Sequence, residues 1–135
     1  MNRRILISFF MALVAAAHAA AFASGPSLKI GMIMPMSGLH GLSGEQVVAG
    51  ARLYMQEHGD IIAGKKVELV VRDDAGSAET AKRLANELVL NDKVNVLAGF
   101  GLTPMALSVA PVATKSKTPM VVMVAATSKV IDASP

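Results

Sequence analysis

The chain predicts an α/β fold, a parallel sheet with flanking helices, and three observations carry that prediction. Short apolar runs of strand character alternate with stretches of helical period. Several runs are apolar on successive residues, as strands covered on both faces must be. The first run, Lys29 to Met34, meets Pro35 and a stretch with Gly38, Gly41 and Gly44 before a helical segment begins at Glu45. Strand, glycine loop and helix form the unit that delivers backbone N–H groups to a strand's carboxyl end. At 135 residues the chain is one domain's worth, rich in Ala, Val, Leu and Met and only 4% aromatic.

The amino terminus reads as an address rather than as part of that domain. Asn2-Arg3-Arg4 gives a positive start, Ile5 to Ala17 is apolar except for Ser8, and Ala21-Phe22-Ala23 fits the A-x-A rule. Residues 1–23 are therefore expected to be a signal peptide and 24–135 the mature segment. Cuts after Ala19 or Ala21 are alternatives. A membrane anchor is the competing reading, but the apolar core of about 13 residues falls short of the roughly 20 that span a bilayer.

The chain has no cysteine. This rules out thiol catalysis, cysteine metal sites, disulfides and a lipid-modified cysteine. Export without disulfides points to a bacterial periplasm. The formal charge is +3, of which Arg3 and Arg4 supply two. No basic cluster longer than Lys65-Lys66 remains, so the electrostatic footprint of a nucleic-acid binder is missing.

The mature segment then alternates. Val47, Val48, Ala51, Leu53 and Tyr54 mark one face of a helix from Glu45 to Glu57, with Gly59 as its stop. Residues 61–65 read as a turn, and Lys66 to Arg72 as a second strand ending at Asp73-Asp74. Ser77 suits an N-cap; Ala81, Leu84, Ala85, Leu88 and Val89 follow as a helical stripe. Val94 to Gly99 is a third strand. Pro104 suits the first turn of a helix reaching about Lys115, which Pro111 should kink or shorten. Pro119 to Val124 is a fourth strand, with no completed helix after it.

Few chemistries survive this pattern. A Walker loop needs Gly-Lys-Ser/Thr where Gly44-Glu45-Gln46 stands, and G-x-G-x-x-G fails because the glycines are three apart throughout. Asp73-Asp74 could serve as a metal or phosphoacceptor pair, but a helix N-terminus needing acceptors explains it more simply. His40 and His58 lack a second ligand at useful spacing, so no metal site is expected. No serine sits in a G-x-S-x-G elbow, and no nucleophile or base is nominated. No cofactor is expected either. What remains are small polar groups at strand carboxyl ends: Ser37 and Ser43, Thr103, and Thr127-Ser128. In open α/β sheets these ends converge on the ligand crevice. Thr103 could equally be a simple cap for the helix at Pro104.

Lys29-Ile30-Gly31 to Pro35-Met36-Ser37-Gly38, Gly44 to Ala51, Asp73-Asp74 with its alanine-rich helix, Val96 to Gly99, Ala106 to Pro111 and Pro119 to Thr127 form a collinear set. Together they resemble the periplasmic branched-chain amino-acid (Leu/Ile/Val) binding protein family over nearly all of Leu28 to Pro135. The resemblance implies two α/β lobes closing on a ligand, of which this chain would be the front part of the first. It implies a substrate-binding component for amino acids or small carboxylates, with an ABC permease of the inner membrane as partner and no catalysis.

It also places Thr103 where the family's Ser/Thr takes the ligand α-carboxylate, Ala125 where a carbonyl accepts from the ammonium, and Thr127 where a threonine meets both. Phe100, Gly101 and Leu102 would line the pocket floor. Ser43 stands where some amino-acid binders carry an aromatic, and that departure leaves the ligand's identity open. The acidic residue that completes ammonium recognition would lie beyond Pro135. A sensor domain of the same fold is the alternative function, and an exported α/β enzyme the third.

Overall fold

A computed structural model describes residues 27–133; the expected signal peptide lies outside the described residues. Five strands form one sheet in the order β2-β3-β1-β4-β5. Chain order is β1 (Leu28–Met34), α1 (Gly41–His58), β2 (Ile61–Ile62), β3 (Lys65–Asp73), α2 (Ala78–Leu90), β4 (Val96–Gly99), α3 (Thr103–Ser116), β5 (Met120–Val122) and α4 (Lys129–Ala133). A 3-10 turn at Gly38–His40 leads into α1. All pairings are parallel except β2 with β3. The expected architecture is present.

The sheet's alternation decides which helix covers which face. Met32 and Met34 of β1 pack with Val48 of α1, and Leu69 and Val71 of β3 join them. Ile33, between the two methionines, points to the other face. There it meets the larger core of Leu84, Leu88, Leu97, Phe100, Met105 and Val109 under α2 and α3. Gly31 shares that face: a Cβ there would lie 3.0 Å from a Leu88 methyl carbon. The α2 stripe is the one the periodicity marks, with Ala81, Leu84, Ala85 and Leu88 buried, and Ser77 Oγ accepts from Thr80 N at 3.3 Å.

Several expectations are corrected. Residues 61–65 are not merely a turn. Ile61 and Ile62 pair with Lys66 and Lys65 as a hairpin, whose central Ala63 and Gly64 both have positive φ, the geometry that matches strand twist. Helix α1 starts at Gly41 rather than Glu45, so Gly41 and Gly44 lie inside a helix and not in a loop. Leu53 and Tyr54 of its supposed inner face are exposed, because only the first turns of α1 approach the sheet. Pro111 does not shorten α3, which continues to Ser116 with Pro111 on its exposed side. Finally, β5 is three residues long and lies at the sheet edge, leaving Val121, Met123 and Val124 open to solvent. A short helix, α4, does follow it.

Candidate functional site

The strand order places the site. From β1 the sheet grows outward to β3, then returns to β1's other side with β4. The carboxyl ends of β1 and β4 therefore flank the switch point, where open α/β sheets hold ligands. Helix α1 covers one face and α2 with α3 the other, and the exit loops 35–37 and 100–102 meet between them.

Pro35 is the shared floor of these loops. A Cβ on Gly44 would stand 1.9 Å from the Pro35 carbonyl oxygen, and one on Gly101 would stand 2.7 Å from its Cδ. Only residues without a side chain let α1 and the β4 exit loop come this close. The β4 exit then turns through two left-handed residues, Gly99 and Phe100, with φ of 110° and 68°. Phe100 N–H donates to Ile33 O at 2.8 Å, and Phe100 O accepts from Ala125 N at 3.0 Å. A left-handed non-glycine residue is costly; full burial of its ring holds it there.

This turn delivers Thr103 as the first residue of α3. The N-cap is Leu102, which makes no side-chain cap, so Thr103 is not the cap that one reading of the sequence allowed. Its hydroxyl has no partner among the described residues, in contrast to the capped N-terminus of α2. The Thr103 N–H, the positive end of the helix dipole and a free hydroxyl suit a carboxylate; Pro104 has no N–H, and the Met105 and Ala106 amides both donate to Leu102 O.

The other expected site residues divide. Gly101 and Leu102 accompany Thr103. Ala125 and Thr127 line a groove of about 710 Å³ between β5, α3 and α4, tied to the first group through the Ala125–Phe100 bond. The Thr127 hydroxyl oxygen accepts from Lys129 N at 3.4 Å. Ser43 stands apart on the first turn of α1, exposed, its hydroxyl donating to His40 O at 2.8 Å. Among the described residues no three His, Asp or Glu side chains gather as a metal ion would need.

The acidic pair plays two different parts. Asp73 Oδ1 accepts from the N–H groups of Met36 and Ala75, both at 2.8 Å. Its slight burial would raise its pKa, but hydrogen bonds from the Ser37 hydroxyl and from the N–H groups of Met36, Ala75 and Ser37 outweigh that and lower it. Sequence reasoning explained the pair through the helix it precedes and missed this contact with the first loop. The signal was available: a strand-ending aspartate beside a Pro-Met-Ser exit whose N–H groups have no ladder.

Asp74 is fully buried. Oδ1 accepts from Gly76 N at 2.8 Å, while Oδ2 has no partner among the described residues. Burial pushes its pKa up, the Gly76 bond pulls the other way, and the Asp73 charge adds to the rise. Protonation thus favours the folded state. The contribution is fully present below the ordinary value of 3.8 and is lost as pH rises through the raised one. Asp74→Asn removes the penalty. Thermal melts are expected to show a higher midpoint for the variant at pH 7, and a gain that shrinks as pH falls through the raised value and is gone below 3.8; a gain independent of pH would refute the assignment.

Residues 27–134 match a family model described as periplasmic binding protein. The chain belongs to the periplasmic binding protein family. Its fold is that of a type I periplasmic binding protein lobe, a mostly parallel sheet flanked by helices. Among relatives of this family, the chain is 44% identical over 119 residues to a Leu/Ile/Val-binding protein homolog 6 from Brucella abortus, covering 87% of this chain and 30% of that protein.

Among solved structures, a solute binding protein of an ABC transporter from Rhodopseudomonas palustris BisB5, in complex with 3,4-dihydroxy benzoic acid, is 50% identical. It superposes with a TM-score of 0.79, over 81% of this chain and 30% of that one. A solute binding protein from Rhodopseudomonas palustris HaA2, in complex with p-hydroxybenzoic acid, is 42% identical with a TM-score of 0.77, over 82% and 30%. The chain thus spans about 30% of the length of the periplasmic binding proteins it matches.

Proposed function

We propose that this chain forms one wall of the ligand cleft of an exported solute-binding protein that serves an ABC importer, with a small carboxylate as ligand and no catalytic step. The uncapped α3 N-terminus at the switch point carries the reading. It offers the Thr103 N–H and hydroxyl to a carboxylate at the place where the fold holds ligands. The solute-binding relatives support it, and membership of the family supports a periplasmic location and a permease partner.

Within small carboxylates, an aromatic acid is favoured. Two solute-binding relatives, 50% and 42% identical, are complexes with hydroxybenzoates. The exit segments 35–44, 99–104 and 123–128 contain no Asp or Glu, so they offer no carboxylate to an amino acid's ammonium. The rim instead exposes Leu39 and Leu42. A Leu/Ile/Val-type amino acid is the second reading, supported by the relative from Brucella. It would draw on the Ala125 carbonyl, Thr127 and groups from a second lobe.

A chimera separates the two readings. Residues 27–133 would replace the matching segment of the BisB5 protein, which supplies the rest of both lobes. Calorimetry is expected to show binding of 4-hydroxybenzoate and none of leucine, and the reverse would install the amino acid. In the same chimera Thr103→Ala is expected to weaken binding by about 1–3 kcal/mol through a lost buried hydrogen bond. Unchanged affinity would remove Thr103 from the site.

A further inference from the structure

The exit of β1 has a problem that its sequence creates. The β1–β3 ladder runs to Met34 opposite Asp73, and Asp74 N adds a last bond to Met34 O at 3.2 Å. Pro35 then has no N–H to donate, and Met36 and Ser37 lie past the end of the partner strand. Their N–H groups would be left to solvent, and nothing in the ladder would set the direction in which the chain turns. Ser37 is extended, with φ −139° and ψ 169°, and Gly38 follows at φ +70°. The peptide around Met36 and Ser37 therefore sets the heading of the 3-10 turn and of α1 beyond it.

We propose that Asp73 is the positioning residue of this loop: its side chain continues the ladder where the backbone stops, and so fixes the β1 wall of the cleft. One oxygen, Oδ1, accepts from Met36 N and Ala75 N at 2.8 Å each. It bridges the loop to the turn that starts the neighbouring helix. With Gly44 against the Pro35 carbonyl and Gly101 against its ring, the exit is held from three directions, two steric and one polar. The polar one is the only one that a single side chain supplies. Asp73 itself is solvent-exposed, so its place is not explained by packing.

The consequence for ligand binding rests on the function proposed above, and its sign is informative. A carboxylate standing near an anion site merely as a neighbour would repel the ligand, and its removal would tighten binding. A latch predicts the opposite for Asp73→Ala. Because a single oxygen makes both backbone bonds, Asp73→Asn keeps an acceptor in place and should rescue the loop without the charge.

The test uses the chain itself, with amide hydrogen exchange read residue by residue. In Asp73→Ala the Met36 and Ala75 amides are expected to exchange at least tenfold faster than in the wild type. In Asp73→Asn they should stay within about threefold. The Thr80 amide, capped by Ser77, serves as the internal control and should not change. Equal Met36 protection in the wild type and Asp73→Ala overturns the latch, as does loss of protection in Asp73→Asn equal to that in Asp73→Ala.

Calorimetric titration with 4-hydroxybenzoate of the chimera carrying the wild-type, Asp73→Ala or Asp73→Asn segment reads the coupling to the cleft. Weaker binding in Asp73→Ala with rescue in Asp73→Asn supports it, and tighter binding in both overturns it. A wild-type chimera that ignores 4-hydroxybenzoate counts against the ligand reading alone, since the exchange rates decide the latch by themselves.

Discussion

Gly44→Ala is expected to destabilise the protein by roughly 3 kcal/mol or more, a fall in melting temperature of about 15 °C for a domain of this size. Helix propensity alone predicts the reverse, a gain of about 1 kcal/mol for replacing a glycine inside α1. The steric effect wins because the new Cβ would meet main chain: 1.9 Å from the Pro35 carbonyl oxygen and 2.7 Å from its carbon. No rotamer change relieves that contact. Either α1 lifts from the end of β1 or the Pro35 exit shifts, and both reshape the cleft floor. Gly50, in the same helix, provides the contrast, since a Cβ there meets nothing within 4 Å. Gly50→Ala should therefore follow propensity and stabilise by about 0.5–1 kcal/mol. Denaturant titration of the two variants checks the pair, and a gain at both positions would show that α1 does not sit on Pro35.

Phe100→Ala is the second large effect, expected to cost about 3–5 kcal/mol by leaving a cavity in the main core. Phe100 is the largest of the fully buried side chains. It sits where the chain leaves β4 left-handed, so the ring also holds a conformation the backbone resists. Phe100→Leu keeps most of the volume and should cost less than about 2 kcal/mol. Unfolding free energies would order the three proteins as wild type, Leu, Ala. A Phe100→Ala variant as stable as the wild type would mean that relief of backbone strain outweighs the lost ring.

The contrast between these sites shows what the sequence could and could not reveal. The stripe on α2 was legible because Ala81, Leu84, Ala85 and Leu88 repeat at helical spacing and Ser77 stands at their head. Parallel pairing was legible because β1 and β4 are apolar on both faces. The start of α1 was not, since glycines that allow close packing and glycines that loosen a loop are the same letters. Only the Pro35 carbonyl, brought near by the fold, tells them apart. Leu53 and Tyr54 misled for a related reason: periodicity identifies a face without saying what that face meets. Thr103 was legible as a candidate by its place after a strand, yet its freedom from a capping role depends on Leu102 taking the cap. Asp73 was hidden because its partner in the first loop, Met36, lies 37 residues back in the chain and comes within reach only when β1 and β3 align.

The central position of β1 also bears on the order in which the protein can assemble. This strand is made first and finished late. Its pairing with β3 waits for Val67, opposite Leu28, and its bond to the segment leading into β4 closes a span of 66 residues between Lys29 and Asn95. Closing such a loop costs entropy before any contact repays it, which makes parallel sheets slow to form. During synthesis, Met32, Ile33 and Met34 emerge with neither flanking strand available. Collapse of α2 onto a half-built sheet cannot precede Leu97 and Phe100, which complete its core. The cleft and the centre of the sheet therefore arise in one late event, when β4 slots beside β1.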